Sequence, residues 1–112
     1  MDNWLSAPLL PTLPTVIDLS DASGSYEIEG GKNSIVVLTA NNPIGYEIIL
    51  PAAIVGLRVT IINQDQDDKS VEIYSADGEY INGIEGEDTP AILDPLTSAT
   101  FYCYADGYWA II

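Results

Sequence analysis

The stretch from Gly45 to Asn63, GYEIILPAAIVGLRVTIIN, constrains the fold more than any other part of this chain. Two apolar runs, Tyr46 to Leu50 and Leu57 to Ile62, flank a short Pro-Ala-Ala-Ile-Val-Gly link. This arrangement predicts a strand, a compact turn and a second strand. Both runs are rich in Ile and Val, whose branched side chains favour a pleated sheet over a helix.

The second run lacks a clean alternation of apolar and polar residues. Val59 and Ile61 fall on one face by the two-residue period, but the opposite face carries Arg58, Thr60 and Ile62. A strand that is apolar on both faces is covered on both faces. In a chain of 112 residues, one cover is the domain's own core. We expect the other cover to be a second copy of the chain.

Net charge excludes two classes of partner. Seventeen Asp and Glu residues face only Lys32, Arg58 and Lys69, so the formal charge is −14. Nucleic acid binding requires Lys and Arg to neutralise phosphates, and an acidic surface is repelled by anionic membranes. We therefore predict neither nucleic acid nor membrane as a partner. Met1-Asp2-Asn3 has no positive n-region, so no signal peptide is expected.

The residues that are absent argue against catalysis. The chain has no histidine, which excludes a Ser-His-Asp triad, a Cys-His dyad and most zinc sites. Cys103 is the only cysteine, and its position within Phe101-Tyr102-Cys103-Tyr104 favours a buried strand residue. Seventeen acids make some carboxylate pair inevitable, but no pair lies in a motif. We predict that the protein is not an enzyme and has no cofactor.

From Asp21 onward, short apolar runs alternate with turn signals at close spacing, which is typical of an all-β sandwich or barrel. Ser34 to Ala40, SIVVLTA, predicts a strand, and Asp106-Gly107 predicts a hairpin between aromatic-rich runs. No stretch shows a helical period over ten residues. We expect about nine strands and no helix in a single domain, residues 21–112.

Residues 1–20 differ in kind from the rest. Pro8, Pro11 and Pro14 recur every third residue, which favours an extended or polyproline II backbone. The segment is nevertheless apolar, so it is either an arm folded back on its own domain or an arm laid across another subunit or protein. We favour the second interpretation, with the arm making contact through Trp4, Leu5, Leu9, Leu10, Leu13, Val16 and Ile17.

Two acidic segments resemble metal sites only superficially. Asn63, Asp65 and Asp67 place oxygens at alternate positions, as a calcium loop does, but Asp68 stands where that loop needs glycine and Tyr74 where it needs glutamate. We predict a solvated hairpin tip there. Glu85, Glu87 and Asp88 make a weaker cluster still. No metal site is predicted.

Aromatic residues are concentrated in the second half of the chain. By the two-residue period, Phe101 and Cys103 share one face of a strand, whereas Tyr102 and Tyr104 share the other. Aromatics beside Asn and Asp can form a carbohydrate platform, but they are equally common in sheet cores and subunit contacts. We predict core on one face and interface on the other.

Six short segments together resemble a known family. They are Ile-Val-Val-Leu-Thr (35–39), Ile-Ile-Leu-Pro (48–51), Gly56 with Arg-Val-Thr-Ile-Ile-Asn (58–63), Ser-Val-Glu-Ile (70–73), Ile-Asn-Gly (81–83) and Asp-Gly-Tyr-Trp (106–109). The succession resembles the small trimeric β-domains of tailed-phage virions, and head decoration or cement proteins in particular. Modules of phage tail fibres and spikes are also similar. The likeness covers roughly residues 26–112.

This resemblance implies an antiparallel β-sandwich or jelly-roll-like protomer that forms a homotrimer on the outer capsid surface of a virion. It implies that the trimer bridges and stabilises subunits of the major capsid protein, which the N-terminal arm would contact. Trimer contacts are expected through Arg58, Thr60, Ile62, Tyr102 and Tyr104. The alternative is a tail-fibre or receptor module that binds glycans through its tyrosines.

Overall fold

The computed structural model describes residues 12–19, 25–40 and 47–112. All regular structure within these ranges is β-strand, which confirms the predicted all-β class. The physical reason is the enrichment of Val, Ile, Thr and aromatic residues in short runs that are separated by Gly, Asn and Asp. In the same ranges no helix is long and apolar enough to cross a membrane.

The described residues form eleven strands in two sheets. The strands are β1 (Pro14–Asp18), β2 (Ser25–Glu27), β3 (Ser34–Ala40), β4 (Glu47–Ile49), β5 (Arg58–Asn63), β6 (Val71–Tyr74), β7 (Tyr80–Ile81), β8 (Ile84–Glu85), β9 (Ala91–Leu93), β10 (Thr97–Ala105) and β11 (Tyr108–Ile111). One sheet has seven strands in the order β1-β3-β5-β10-β11-β7-β8, and the other has four in the order β2-β4-β6-β9.

The first six strands wind alternately through the two sheets in a β-solenoid-like manner. Strands β1, β3 and β5 pair in parallel in the large sheet, and β2, β4 and β6 pair in parallel in the small sheet. Pro14 lies beside Ile35 and Ile35 beside Thr60, which are offsets of 21 and 25 residues. Each turn of the winding therefore adds one strand to each sheet.

The remaining strands stop the winding. Strand β10 pairs antiparallel with β5, and β9 pairs antiparallel with β6. The last strand that the winding adds to each sheet therefore has an antiparallel neighbour. Strand β11 returns antiparallel to β10 through the predicted Asp106-Gly107 turn, where Gly107 has a φ of 85°. That backbone conformation favours glycine, which confirms the predicted hairpin.

The predicted antiparallel, jelly-roll-like topology is wrong in its pairing. Five of the nine strand pairs in the described part of the chain are parallel, namely β1 with β3, β3 with β5, β2 with β4, β4 with β6 and β7 with β11. Alternation within a strand reports only which side chains face the core, and it is the same for both pairing directions. What the structure retains of this prediction is the all-β class, with two sheets around one core.

The core lies between the two sheets. In β5 every second side chain is buried, and β3 and β10 each bury two alternate side chains at their centres. Residues of β4, β6 and β9 meet them from the other sheet. The most buried side chains include Leu38, Ile48, Ile61, Ile73, Phe101, Cys103 and Trp109. Burial of an aliphatic or aromatic side chain of this size contributes about 1.5–3 kcal/mol, so the core is the main source of stability.

Part of the segment predicted as an N-terminal arm lies in the seven-stranded sheet. Residues 14–18 form β1, which pairs with β3, and Leu19 is buried and donates its amide hydrogen to the Ala40 carbonyl at 2.8 Å. These residues therefore belong to the sheet. The predicted contacts at Trp4, Leu5, Leu9 and Leu10 lie outside the described residues.

Candidate interaction surface

Among the described residues, the outer face of the seven-stranded sheet carries no carboxylate on four adjacent strands, β3, β5, β10 and β11. Its residues alternate with the buried ones of β3, β5, β10 and β11, and we name this surface the acid-free face. Its members within the described part of the chain are Ile35, Val37, Thr39, Arg58, Thr60, Ile62, Ser98, Thr100, Tyr102, Tyr104, Tyr108 and Ala110. In a chain with 17 acids, such a surface is unusual.

The five predicted trimer-contact residues all lie on the acid-free face. Arg58 and Tyr102 pair across β5 and β10, with the guanidinium carbon 5.2 Å from the ring centroid. Thr60 pairs with Thr100, and their hydroxyl oxygens are 3.0 Å apart. Ile62 lies between Val37 and Ser98 on the neighbouring strands.

Exposure within a single chain differs among these residues. Thr60, Ile62 and Tyr102 are half-buried, because strands on both sides cover their flanks, whereas Arg58 and Tyr104 are exposed. The half-buried side chains still have an outer surface that nothing in the described part of the chain covers. Among the described residues the face is therefore open, and a partner needs no rearrangement of these strands to reach it.

Three tyrosines form a cluster at the end of the acid-free face. The rings of Tyr80 and Tyr108 are stacked, with centroids 5.1 Å apart and planes 8° apart. The ring centroids of Tyr104 and Tyr108 are 6.0 Å apart, and the two ring planes are inclined by 42°. Tyr104 and Tyr108 are 51% and 40% exposed, so their apolar ring faces are open to contact. Beyond this cluster the face ends at β8, where Glu85 pairs with Tyr80.

The outer face of the four-stranded sheet is acidic by contrast. Glu47 and Glu72 pair on neighbouring parallel strands, and Glu27 lies one strand further along, beside Ile49. Glu27 and Glu47 also line a groove of about 760 Å³, together with Asp77 and Glu87. The two sheets therefore present surfaces of different charge.

Hydrogen bonds within the acidic surface hold several of its polar groups. The Tyr74 hydroxyl donates to the Glu72 carboxylate at 3.1 Å. Burial, that hydrogen bond and the negative charges of Glu72 and Glu47 all raise the pKa of Tyr74. The amide hydrogen bond from Gly78 lowers the pKa of Glu87, but its carboxylate neighbours outweigh this effect, and the net pKa is raised.

The prediction of a solvated hairpin tip at residues 63–68 is wrong for its first half. Asn63 and Asp65 are buried, and β5 and β6, which this segment joins, belong to different sheets. The Asn63 side chain donates to the carbonyls of Lys69 and Leu93, and the Asp65 amide donates to Asn63 Oδ1 at 3.1 Å. These side chains satisfy backbone groups where the chain passes between the sheets.

The described residues show no metal-binding constellation. Within ranges 12–19, 25–40 and 47–112, no group of three or more His, Cys, Asp or Glu side chains is placed to hold a metal ion. Cys103 is fully buried, as its sequence context predicted, and burial raises the pKa of its thiol despite hydrogen bonds with backbone groups.

The sequence also failed to indicate an apolar groove on one lateral side of the domain. The groove lies between β8 and β9, and Ile84, Ile92 and Ile111 line it together with Pro90. We name it the isoleucine groove. Its lining residues are spread over positions 81–111 of the sequence, so only the folded chain brings them together.

Comparisons of the chain with protein-family models, with curated proteins and with solved structures found no match.

Proposed function

We propose that this protein is a structural component of a phage virion, a decoration or cement protein that binds the outer capsid surface as a homotrimer. Its partners are further copies of itself and the major capsid protein. The observation that carries the homotrimer is the acid-free face. The capsid is supported by the resemblance of residues 26–112 to head decoration proteins.

Charge gives the physical argument for self-association through the acid-free face. Burial of an unpaired carboxylate in an interface costs several kcal/mol, so a surface without carboxylates is the one that associates most readily. Val37 and Ile62 are apolar and release water favourably, and the Thr60 hydroxyl keeps its hydrogen bond with Thr100 when water is lost. Arg58 already contacts the Tyr102 ring, which partly compensates its loss of hydration.

A three-fold arrangement is compatible with the difference in charge between the acid-free face and the acidic face of the small sheet. If the acid-free faces of three copies point toward a common axis, the acidic faces of the small sheets point outward and remain far apart. Seven strands spaced about 4.8 Å apart make a sheet about 29 Å wide, and a triangle of such sheets places each one about 8 Å from the axis. Tyr102, Tyr104 and Arg58 have side chains long enough to fill that space.

The N-terminal segment supplies the contact with the capsid in this proposal. Trp4, Leu5, Leu9 and Leu10 are apolar, and Pro8 and Pro11 reduce the entropy that an extended segment loses on binding. A trimer that binds across junctions between capsid subunits stabilises the assembled shell by mass action, because it binds the shell and not the separated subunits.

The proposal is tested by two measurements on the purified full-length protein. Light scattering gives the mass in solution, for which we expect three chains, and a monomer would contradict the proposal. Sedimentation with capsids that lack the protein measures decoration. A variant without residues 1–11 keeps all of β1, so we expect a trimer that no longer sediments with capsids. Full binding by this variant would contradict the role of the arm.

The tyrosine cluster favours a second candidate function, the binding of glycans by a tail-fibre or receptor module. Exposed aromatic rings stack on the apolar faces of sugars, and Tyr104 and Tyr108 offer such rings. A screen of the protein against bacterial surface polysaccharides distinguishes the two functions. Binding that is lost in Tyr108→Ala, with no affinity for capsids, would favour the second candidate.

A further inference from the structure

The isoleucine groove is an apolar depression on the lateral side of the domain formed by β8 and β9. It has a volume of about 260 Å³, and none of the described residues that line it is charged. Ile84 and Ile92 are 56% and 57% exposed, and Ile111 is 38% exposed. Large apolar side chains with this degree of exposure around one groove are characteristic of a contact with another polypeptide.

A second apolar patch lies at the opposite edge of the seven-stranded sheet, where Val16 pairs with Val37 on the outer face. Strand β1 is the outermost strand of the seven-stranded sheet, at the edge opposite to β8. Leu13, which directly precedes β1, is 78% exposed, and Val16 within β1 is 62% exposed. These are two of the largest exposures among apolar side chains in the described part of the chain.

We propose that the two patches bind each other between copies, with Leu13 and Val16 of one copy in the isoleucine groove of the next. This inference rests on the proposed homotrimer and names its second contact. A closed three-fold ring requires a heterologous interface, in which two different patches of the same chain meet. In such a ring each chain contacts one neighbour on each side, so its two patches must lie on opposite sides. Patches at opposite edges of one sheet satisfy this requirement.

Both contacts are compatible in one assembly. With three acid-free faces turned toward the axis, the β1 edge of each sheet meets the β8 edge of its neighbour at a corner of the triangle. The corner brings Leu13 and Val16 beside Ile84, Ile92 and Ile111. The groove volume of about 260 Å³ accommodates aliphatic side chains, and none of the described residues that line it is charged. Glu85 of β8 lies at the same edge of the sheet but does not line the groove.

Cross-linking between differently substituted chains tests this contact. Two full-length chains with different affinity tags are co-expressed, one with Leu13→Cys and the other with Ile84→Cys, and treated with a short bifunctional maleimide. The wild-type protein is the first control, since its single cysteine, Cys103, is fully buried. Ile54→Cys replaces Ile84→Cys in the matched control, because Ile54 is similarly exposed, at 51%, but lies outside the groove.

The proposal expects a covalent product that carries both tags for the Leu13 and Ile84 pair and at most a tenth of that yield for the Leu13 and Ile54 pair. A trimeric mass without the first product would overturn this inference and leave the homotrimer standing. Cross-linking of Ile84→Cys chains to one another would overturn it in favour of two grooves that face each other. A monomeric mass would overturn the homotrimer and this inference together.

Discussion

Arg58 lies over the ring of Tyr102 on the neighbouring antiparallel strand, with its guanidinium carbon 5.2 Å from the ring centroid. Of the described residues on the acid-free face, Arg58 is the only charged one, and the ring holds it against the sheet. This pair marks the transition from the aliphatic and threonine part of the face, around Thr60 and Ile62, to its tyrosine cluster.

The acid-free face should be essential for association and dispensable for folding. A carboxylate in place of Ile62 would be desolvated without a partner in the trimer, which costs several kcal/mol. We expect Ile62→Glu to be a folded monomer at concentrations at which the wild type is a trimer, as measured by light scattering with circular dichroism as the check on folding.

Ile49→Glu is the matched control for this prediction. Ile49 is also half-buried on an outer sheet face, but it lies on the acidic sheet beside Glu27 and Tyr74. The control should remain a trimer. Equal masses for the two variants would show that the acid-free face does not form the interface.

The sequence predicted the strands well and their partners poorly. Ser34–Ala40 is a strand over its full predicted length, because Val and Ile alternate there between core and outer face. The parallel pairing of β3 with β5 could not be predicted, because the side-chain pattern of a strand is independent of its neighbour's direction. The antiparallel pairing of β10 with β11 was predictable, because the Asp-Gly turn between the two strands is a local signal for a hairpin.

Of the two candidate surfaces, the acid-free face was predictable from the sequence and the isoleucine groove was not. Arg58, Thr60 and Ile62 were assigned to an outer face because alternation within one strand places them there. The isoleucine groove was missed because Ile84, Ile92 and Ile111 belong to three short strands that only tertiary structure brings together. The acidic sequence around Asp65 predicts an exposed residue. Asp65 is instead buried, and its side chain accepts a hydrogen bond from the Asp67 backbone amide.

The turn before β5 depends on Gly56. Its φ is +95°, a conformation that side-chain-bearing residues rarely adopt, and its amide donates to the Cys103 carbonyl at 2.8 Å. Gly56→Ala should therefore lower the free energy of unfolding by about 1–3 kcal/mol, even though a methyl group would meet no neighbouring atom. Urea denaturation measures the change.

Gly30→Ala is the control for Gly56. Gly30 does not have a positive φ, and the added methyl group would make an ordinary contact with Pro51 at 3.4 Å. Its free energy of unfolding should change by less than about 1 kcal/mol. If both variants lose the same stability, backbone strain is not the reason for glycine at position 56.

The acidic sheet should be destabilised by repulsion between Glu47 and Glu72. The two residues pair directly on parallel strands, and like charges in such positions are unfavourable by roughly 0.2–1 kcal/mol. We expect Glu47→Gln to raise the free energy of unfolding by that amount at low ionic strength. At about 1 M salt the gain should vanish, since the screening length falls to about 3 Å.

Glu29→Gln provides the comparison for Glu47→Gln. It removes the same charge from a residue that lies 3.5 Å from the Lys32 ammonium group and is exposed. Thermal unfolding at both salt concentrations should show no gain for this variant. An equal gain for the two would mean that total charge, and not the pairing of Glu47 with Glu72, sets the effect.

Stability should fall at alkaline pH through the ionisation of Tyr74. Because its pKa is raised in the folded state, the folded protein holds this proton more tightly than the unfolded chain, whose tyrosines titrate near pH 10. The stabilisation from the neutral hydroxyl is complete below about pH 10 and is lost as the pH rises through the folded-state pKa.

Tyr74→Phe lacks the titrating group, so the difference in free energy of unfolding between wild type and variant should shrink above pH 10. Urea midpoints from pH 8 to pH 11.5 measure this difference and cancel the contribution of the other tyrosines. A difference that is constant over the whole range would show that Tyr74 titrates alike in the folded and unfolded states.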